Sequence, residues 1–352
     1  MLIYNLLCVV TQNDSMLRKN MYFCILEYNY QIMREIIRLT TISIWVCLMF
    51  AACMSSEDKP NMQTEKQKEC IIYPSDSELF SVSPTQKVFF SKGNLQYRAS
   101  TNTWRFAEHQ WDYVGFSNYY ERGMVGNSTN NMTSPTYDGW IDLFGWGTGD
   151  NPTALSVKRI DGDRTYYAFS DWGNNAISNG EGCLWRALTA DEWKYVLFER
   201  YTYSGIRYAP ANVNDVLGWI ILPDNWKTEY YTLIGVNRDN SNFSGSKESS
   251  YYDNTISSSD WIDKLENHGA IFLPNAGYRH MICVEHDEEI DECRRWRIEG
   301  ELVQDICKYW TATQSYMATH PYCVRFHAML NIGIITENAD YGLSVRLVCD
   351  KK

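Results

Sequence analysis

The chain lacks a run of about 20 apolar residues, which a helix needs to cross a bilayer. Its uncharged, mostly apolar stretch at residues 39–52 spans only 14 positions, the length of a secretory h-region. Positive charge is scarce too. Lys and Arg total 32 against 43 Asp and Glu, for a formal charge of −11 at pH 7. That balance argues against nucleic acid as the main partner, because such binding rests on cations neutralising phosphates. Linkers and repeats are missing: from residue 78 onward no Pro/Gly/Ser stretch is long enough to separate domains, and no internal repeat appears. What the chain does hold is apolar and aromatic. It is 45% hydrophobic and 21% charged, with 13 Trp, 25 Tyr and 13 Phe, the composition of a globular protein.

The N-terminal region reads as an export signal. Met33-Arg34-Glu35-Ile36-Ile37-Arg38 is a basic n-region ahead of the apolar stretch. The stretch ends in Phe50-Ala51-Ala52-Cys53, which resembles the bacterial lipobox, with Phe50 where Leu is usual. The resemblance implies that Cys53 is lipidated and becomes the mature N-terminus. Residues 1–32 lie ahead of the n-region and are read as a mis-assigned extension, with Met33 as the start. Removing residues 1–52 takes away four cations and three anions, so the formal charge moves from −11 to −12. Residues 54–69 hold no aromatic and no Ile, Val or Leu, so they cannot build a core and read as a flexible tether. Its reach is roughly 20–25 Å. The pair Glu57-Asp58 resembles the short acidic tag of surface-exported lipoproteins of Bacteroidetes. The expected organisation is therefore extension 1–32, signal 33–52, lipidated Cys and tether 53–77, and one domain at 78–352. The expected location is the outer membrane, lipid-anchored and facing the cell exterior.

Within the domain, strand patterns dominate. Lys87-Val88-Phe89-Phe90, a Gly93-Asn94 turn and Leu95-Gln96-Tyr97 predict a hairpin. Trp104–Phe106 and Trp111–Val114 alternate as strands do. The apolar runs at 216–222 and 270–273 stop at Pro223 and Pro274, as buried strands often do. Val324, Phe326 and Ala328, then Leu343, Val345, Leu347 and Cys349, predict a closing hairpin. Two helices are expected. Thr189 and Glu192 form a capping box ahead of an apolar stripe of Trp193, Val196 and Leu197. Ser259-Asp260 opens the second, with Trp261, Ile262 and Leu265 inward and Gly269 as the stop. Few helices among many strands, without βαβ alternation, predict an α+β fold.

Several runs carry a resemblance. They are residues 89–97 (Phe-Phe-Ser-Lys-Gly-Asn-Leu-Gln-Tyr), Asp142-Leu143-Phe144-Gly145-Trp146-Gly147, Leu188-Thr189 with Glu192-Trp193, and Leu222-Pro223-Asp224. Further along, Phe272-Leu273-Pro274-Asn275-Ala276-Gly277-Tyr278-Arg279, Tyr309-Trp310-Thr311-Ala312-Thr313 and residues 341–348 belong to the same set. Together they resemble a group of Bacteroidetes lipoproteins similar to the Fibrobacter succinogenes major paralogous domain. The resemblance spans roughly 80–350 and implies a single C-type lectin-like domain, with two main helices, twisted antiparallel sheets and long loops, as in formylglycine-generating enzymes.

The chemistry of that fold can be tested on the residues. No Gly-Gly-Ser-Trp-like run is present, and Cys307, Cys323 and Cys349 stand far apart. None of the six His shows an HxxxH or facial-triad spacing. No catalysis and no cofactor are expected. Besides Cys53, the mature chain carries seven Cys, an odd number. Cys283 and Cys293 flank an acidic segment, 284–292, and are a possible disulfide closing a short loop. That segment lacks the Asp-x-Asp-x-Asp-Gly spacing of a calcium loop, and the sugar-binding Glu-Pro-Asn and Trp-Asn-Asp patterns of C-type lectins are absent, so no metal is expected.

Recognition remains. The loops at 117–137 and 237–259 mix Tyr, Asn, Ser and Gly, the mix that binding loops use. Candidate ligand-binding residues are Tyr251 and Tyr252, then Tyr316, His320, Tyr322, Arg325, His327, Asn338 and Asp340. The expected partner is a glycan or a protein, with the membrane touched only through the lipid and no nucleic acid. A divergent formylglycine-generating-type enzyme and a structural envelope component are the alternatives.

Overall fold

The computed structural model describes residues 78–115, 134–154, 159–160, 166–180, 182–234, 251–287, 292–301, 306–317, 319–327 and 332–351. At 159–160, 166–167, 281–287 and 292–301 it describes the backbone alone. The signal region, Cys53, the tether and most of the two Tyr/Asn/Ser loops lie outside these residues.

The chain runs through β1 (Phe80–Ser81), β2 (Lys87–Phe90), β3 (Leu95–Arg98), β4 (Thr103–Phe106), β5 (Trp140–Ile141), β6 (Arg159–Ile160), β7 (Tyr166–Tyr167) and β8 (Trp185–Ala187). Helix α1 (Ala190–Lys194) continues as a π-turn over Tyr195–Glu199. Then come β9 (Tyr208–Val213), β10 (Val216–Ile221) and β11 (Thr255–Ile256). Helix α2 (Ser258–Asp260) continues as a π-turn over Trp261–Leu265. The rest is strand: β12 (Ile271–Pro274), β13 (Tyr278–Asp287), β14 (Glu292–Glu301), β15 (Ile306–Trp310), β16 (Tyr322–His327), β17 (Gly333–Thr336) and β18 (Leu347–Asp350). Among the described residues, two short helices with mostly antiparallel sheets make this an α+β fold.

The sheets order as β1-β2-β18-β8, β11-β9-β10-β12, β15-β16-β17 and β4-β3-β5, with β13-β14 and β6-β7 as two-stranded ribbons. β11 lies parallel to β9, and the other strand pairs are antiparallel. Residues 71–352 gather into one compact unit. Its core holds seven Trp, Tyr and Phe anchors of note: Trp193, Trp219, Tyr208, Tyr309, Trp172, Trp261 and Phe272 are all buried.

Local signals explain the elements that match the sequence pattern. Thr189 Oγ1 accepts from Glu192 N, and the Glu192 carboxylate accepts from Thr189 N at 2.8 Å, which closes the capping box. Trp193, Val196 and Leu197 are buried beneath it. The second helix is capped two residues earlier than Ser259: Ser257 Oγ accepts from Asp260 N at 3.1 Å. Gly269 ends the helical segment in the left-handed region at φ 84°. Ile262 is 38% exposed, not inward, because adjacent helical residues point about 100° apart and Trp261 already takes the inward direction.

Three pairings differ from the sequence reading. β2 and β3 form no hairpin: β2 pairs with β1 and β18, and β3 with β4 and β5. The C-terminal strands form no closing hairpin either: β16 pairs with β15 and β17, while β18 crosses to β2 and β8. Residues 111–114 form no strand. The Asp142 carboxylate takes the N–H groups of Val114 and Gly115 at 2.6 and 2.8 Å, donors that a ladder would need. In the acidic segment after Cys283, residues 284–287 belong to β13 and Glu292 opens β14.

Candidate ligand-binding site

The motif Tyr309-Trp310-Thr311-Ala312-Thr313 fixes the base of the site. Trp310 Nε1 donates to Phe144 O at 2.6 Å, and Trp146 Nε1 donates to Thr311 O at 2.9 Å. Ala312 N donates to Leu188 O at 2.8 Å, and Thr313 Oγ1 accepts from Ala190 N, at the start of α1, at 2.9 Å. The segment after β15 is thus tied to the 144–146 loop and to the helix cap. Thr311 Oγ1 donates to Tyr322 O at 2.8 Å, so the outgoing loop returns onto β16 at a defined point.

On that base two loops lie side by side. Ala339 N donates to Thr319 O at 2.9 Å, Glu337 N to Pro321 O at 3.0 Å, and His320 N to Met317 O at 3.0 Å. These bonds bring four residues expected from sequence to one rim: Tyr316, His320, Asn338 and Asp340. Tyr316 is 88% exposed, while the other three are partly buried. His320 Nδ1 lies 2.8 Å from Thr319 Oγ1. Burial raises the Asp340 carboxyl above the usual carboxylate range, with Arg279, His280 and His320 pulling it the other way. Asp340 Oδ1 is buried without a hydrogen-bond partner.

An aromatic wall that the sequence reading missed completes the rim. Tyr278 stacks on Tyr341 at 5.7 Å with nearly parallel planes, and His280 lies 5.3 Å from Tyr341. Lys308 Nζ sits 4.7 Å over the Tyr278 ring and pairs with Glu337 at 2.5 Å. Beneath the wall Arg279 is buried, its Nε donating to Leu143 O at 2.9 Å. Burial lowers the Arg279 guanidinium to about 10, offset in part by Asp340. Arg279 and Gly342 exchange backbone hydrogen bonds. A Cβ on Gly342 would meet the Arg279 side chain at 2.3 Å, so only glycine allows this approach. The run Gly277-Tyr278-Arg279 was the available signal; nothing local marked Tyr278 and His280 as neighbours of Tyr341.

Of the remaining candidates, all but Arg325 lie apart from this rim. Tyr251 is 3% exposed, and its hydroxyl accepts from Trp219 Nε1 and Asn275 Nδ2, both at 3.2 Å. It is a core residue with no surface to offer, and this corrects the sequence reading. Its neighbour Tyr252 is 64% exposed but lies in the Tyr251–Asn254 turn. On β16, alternation places Tyr322 on the face of buried Val324 and Phe326, and Arg325 and His327 on the opposite face with Cys323. Arg325 pairs in register with Lys308, the residue over the Tyr278 ring, and so stands beside the wall, while His327 pairs with Ile306, further along the sheet.

One disulfide joins cysteines that the sequence reading left unassigned. Cys183 and Cys349 form a disulfide across a separation of 166 residues. Cys283 is opposite Trp296 in the ribbon register and Cys293 opposite His286; their side chains lie outside the described ones. Cys307 and Cys323 are buried free thiols, and burial pushes both up, away from thiolate. Among the described residues no group of three His, Cys, Asp or Glu is arranged to hold a metal ion. No described helix is long and apolar enough to cross a membrane.

Compared with known proteins, the chain matches no family model, no curated protein and no solved structure.

Proposed function

We propose that this chain is a cell-surface lipoprotein, anchored through Cys53, whose C-type lectin-like domain recognises a glycan or a protein without catalysis. The observation that carries the reading is the convergence of Tyr316, His320, Asn338 and Asp340 on one rim, backed by the stacked Tyr278 and Tyr341. Rigid aromatic area beside adaptable polar groups is the chemistry of recognition surfaces, and loops on a fixed scaffold are where such surfaces lie. The raised thiol groups of Cys307 and Cys323 weigh against the formylglycine-type alternative, because a reactive cysteine needs its thiolate accessible.

The test is binding of residues 71–352 to a broad glycan array, with and without chelator, followed by a pull-down from envelope extract. Tyr316→Ala and Asp340→Asn should each weaken the captured interaction; Tyr316→Ala, on an exposed side chain, should leave the melting temperature within about 2 °C, since such substitutions usually cost under ~0.5 kcal/mol. Unchanged binding in both variants would remove this rim as the site.

A further inference from the structure

A pocket of about 440 Å³ lies between β1 and β2, the segment after β4, the loop leading into β8 and the end of α2. Its volume is that of a small-molecule site, and it shares no lining residue with the rim. Five rings line it: Phe80, Phe89, Phe90, Phe106 and Trp185. The rings hold one another in place, Phe80 edge-on to Phe90 at 4.9 Å and Phe106 edge-on to Trp185 at 4.8 Å. Trp185 Nε1 is already spent on Gly180 O at 2.7 Å, so this wall offers π surface instead of a donor.

Glu78, Glu108, Glu266 and Lys92 stand among the rings. Glu266 is positioned by a buried amide. Gln110, 2% exposed, donates to Glu266 Oε1 at 3.1 Å and to Ala270 O at 3.3 Å. The Gln110 oxygen accepts from Phe272 N and from Arg346 Nη2, both at 2.7 Å. All of that amide's bonds are made within the fold, so it cannot turn. Glu266 Oε2 accepts no hydrogen bond among the described residues.

An anion would be repelled by the open oxygen of Glu266, and a neutral apolar guest would strip water from it without replacing it. A cation with an apolar body answers both, since aromatic faces attract cations. We infer that this pocket binds a small organic cation, its ammonium set at Glu266 and its aromatic or aliphatic body against Phe80, Phe90 and Phe106. The inference does not depend on the recognition reading of the rim.

The test is calorimetric titration of the full chain with phenethylamine, 2-phenylethanol and phenylacetate, which share a body and differ in charge. Phenethylamine should bind with Kd below about 1 mM. It should bind about tenfold tighter than the alcohol, with phenylacetate the weakest. Glu266→Gln keeps an acceptor for Gln110 and removes the charge; it should weaken phenethylamine about tenfold and leave the alcohol within about twofold. Glu108→Gln, on an exposed side chain, should weaken the amine by a smaller factor without moving the melting temperature, which guards against a folding artefact at Glu266. Equal binding of amine and carboxylate, no amine binding at about 10 mM, or amine binding indifferent to both variants would each overturn the inference.

Discussion

Replacing Asp224 with Asn should unfold this domain more readily than almost any other single isosteric change. The Arg200 side chain is 0% exposed and its Nη1 lies 3.0 Å from Asp224 Oδ1. The same carboxylate accepts from Ser81 Oγ at 2.6 Å, from Ser81 N at 3.1 Å and from Lys87 Nζ at 3.0 Å. It therefore ties β1 to the end of α1 and to the β9–β10 hairpin. Burial works against the Asp224 charge, but Arg200 and the Ser81 bonds outweigh it and hold the carboxyl below the usual range. Burial also lowers Arg200 to about 10, with Asp224 opposing, so both groups are charged at neutral pH. Asn fills the same space without the charge and leaves a buried guanidinium uncompensated, a loss of about 3–5 kcal/mol. For a domain of this size that is a fall of about 6–15 °C in melting temperature. Urea unfolding followed by circular dichroism reads it directly. Because the folded pKa is depressed, the Asp224 contribution is present at neutral pH and is lost as pH falls through that folded value; the variant should lack this acid limb. The double variant Asp224→Asn with Arg200→Met should lose less than the two singles summed, by at least about 1.5 kcal/mol. A single-variant cost under about 1 kcal/mol, or strict additivity, would refute the account of a coupled buried pair.

Other outcomes follow from the same packing. Cys183→Ser should lower stability by about 2–5 kcal/mol, since the cross-link closes a long loop in the unfolded chain; a wild-type protein whose urea midpoint ignores reducing agent would deny the bond. Asp142 is pushed up to about 6 by burial, against the hydrogen bonds from Val114 and Gly115. A raised acid favours the fold when protonated, full below the unfolded pKa and lost as pH rises through the folded one. Wild type should therefore gain up to about 3 kcal/mol relative to Asp142→Asn between pH 7 and 4, and a pH-independent difference would contradict this. Gly342→Ala should cost about 1–3 kcal/mol, because Arg279 must move out of its buried place; an unchanged urea midpoint would show that the close approach is not required.

What the sequence shows well is local: caps, stripes and apolar runs. The Thr189 box, the strands β10 and β12 and the Gly269 stop depend on neighbours within a few residues, so a pattern can carry them. Pairing partners do not. Gly93-Asn94 has the composition of a hairpin turn, yet its residues act at long range. A Cβ on Gly93 would meet Ala107 O at 2.4 Å, so the glycine serves a close approach to the strand after next. Asn94 is buried, and its Oδ1 accepts from Tyr309 Oη at 3.1 Å and Arg346 Nη1 at 3.3 Å. Pro274 O lies 3.2 Å from the same Tyr309 hydroxyl, whose one proton serves either acceptor, and Asn275 reaches Tyr251. Runs 89–97, 272–279, 309–313 and 341–348 are thus bonded to one another across the core. They specify a scaffold, and a scaffold does not name a ligand. The rim residues follow the opposite logic. Tyr316, His320 and Asp340 satisfy no long-range motif, so their type hinted at recognition while their company, Tyr278, His280 and Tyr341, stayed hidden until β13 and the 337–342 segment were seen side by side. Variation at the rim should then change what is bound without changing the fold, whereas variation in the Asn94–Tyr309–Arg346 network should change the fold whatever is bound.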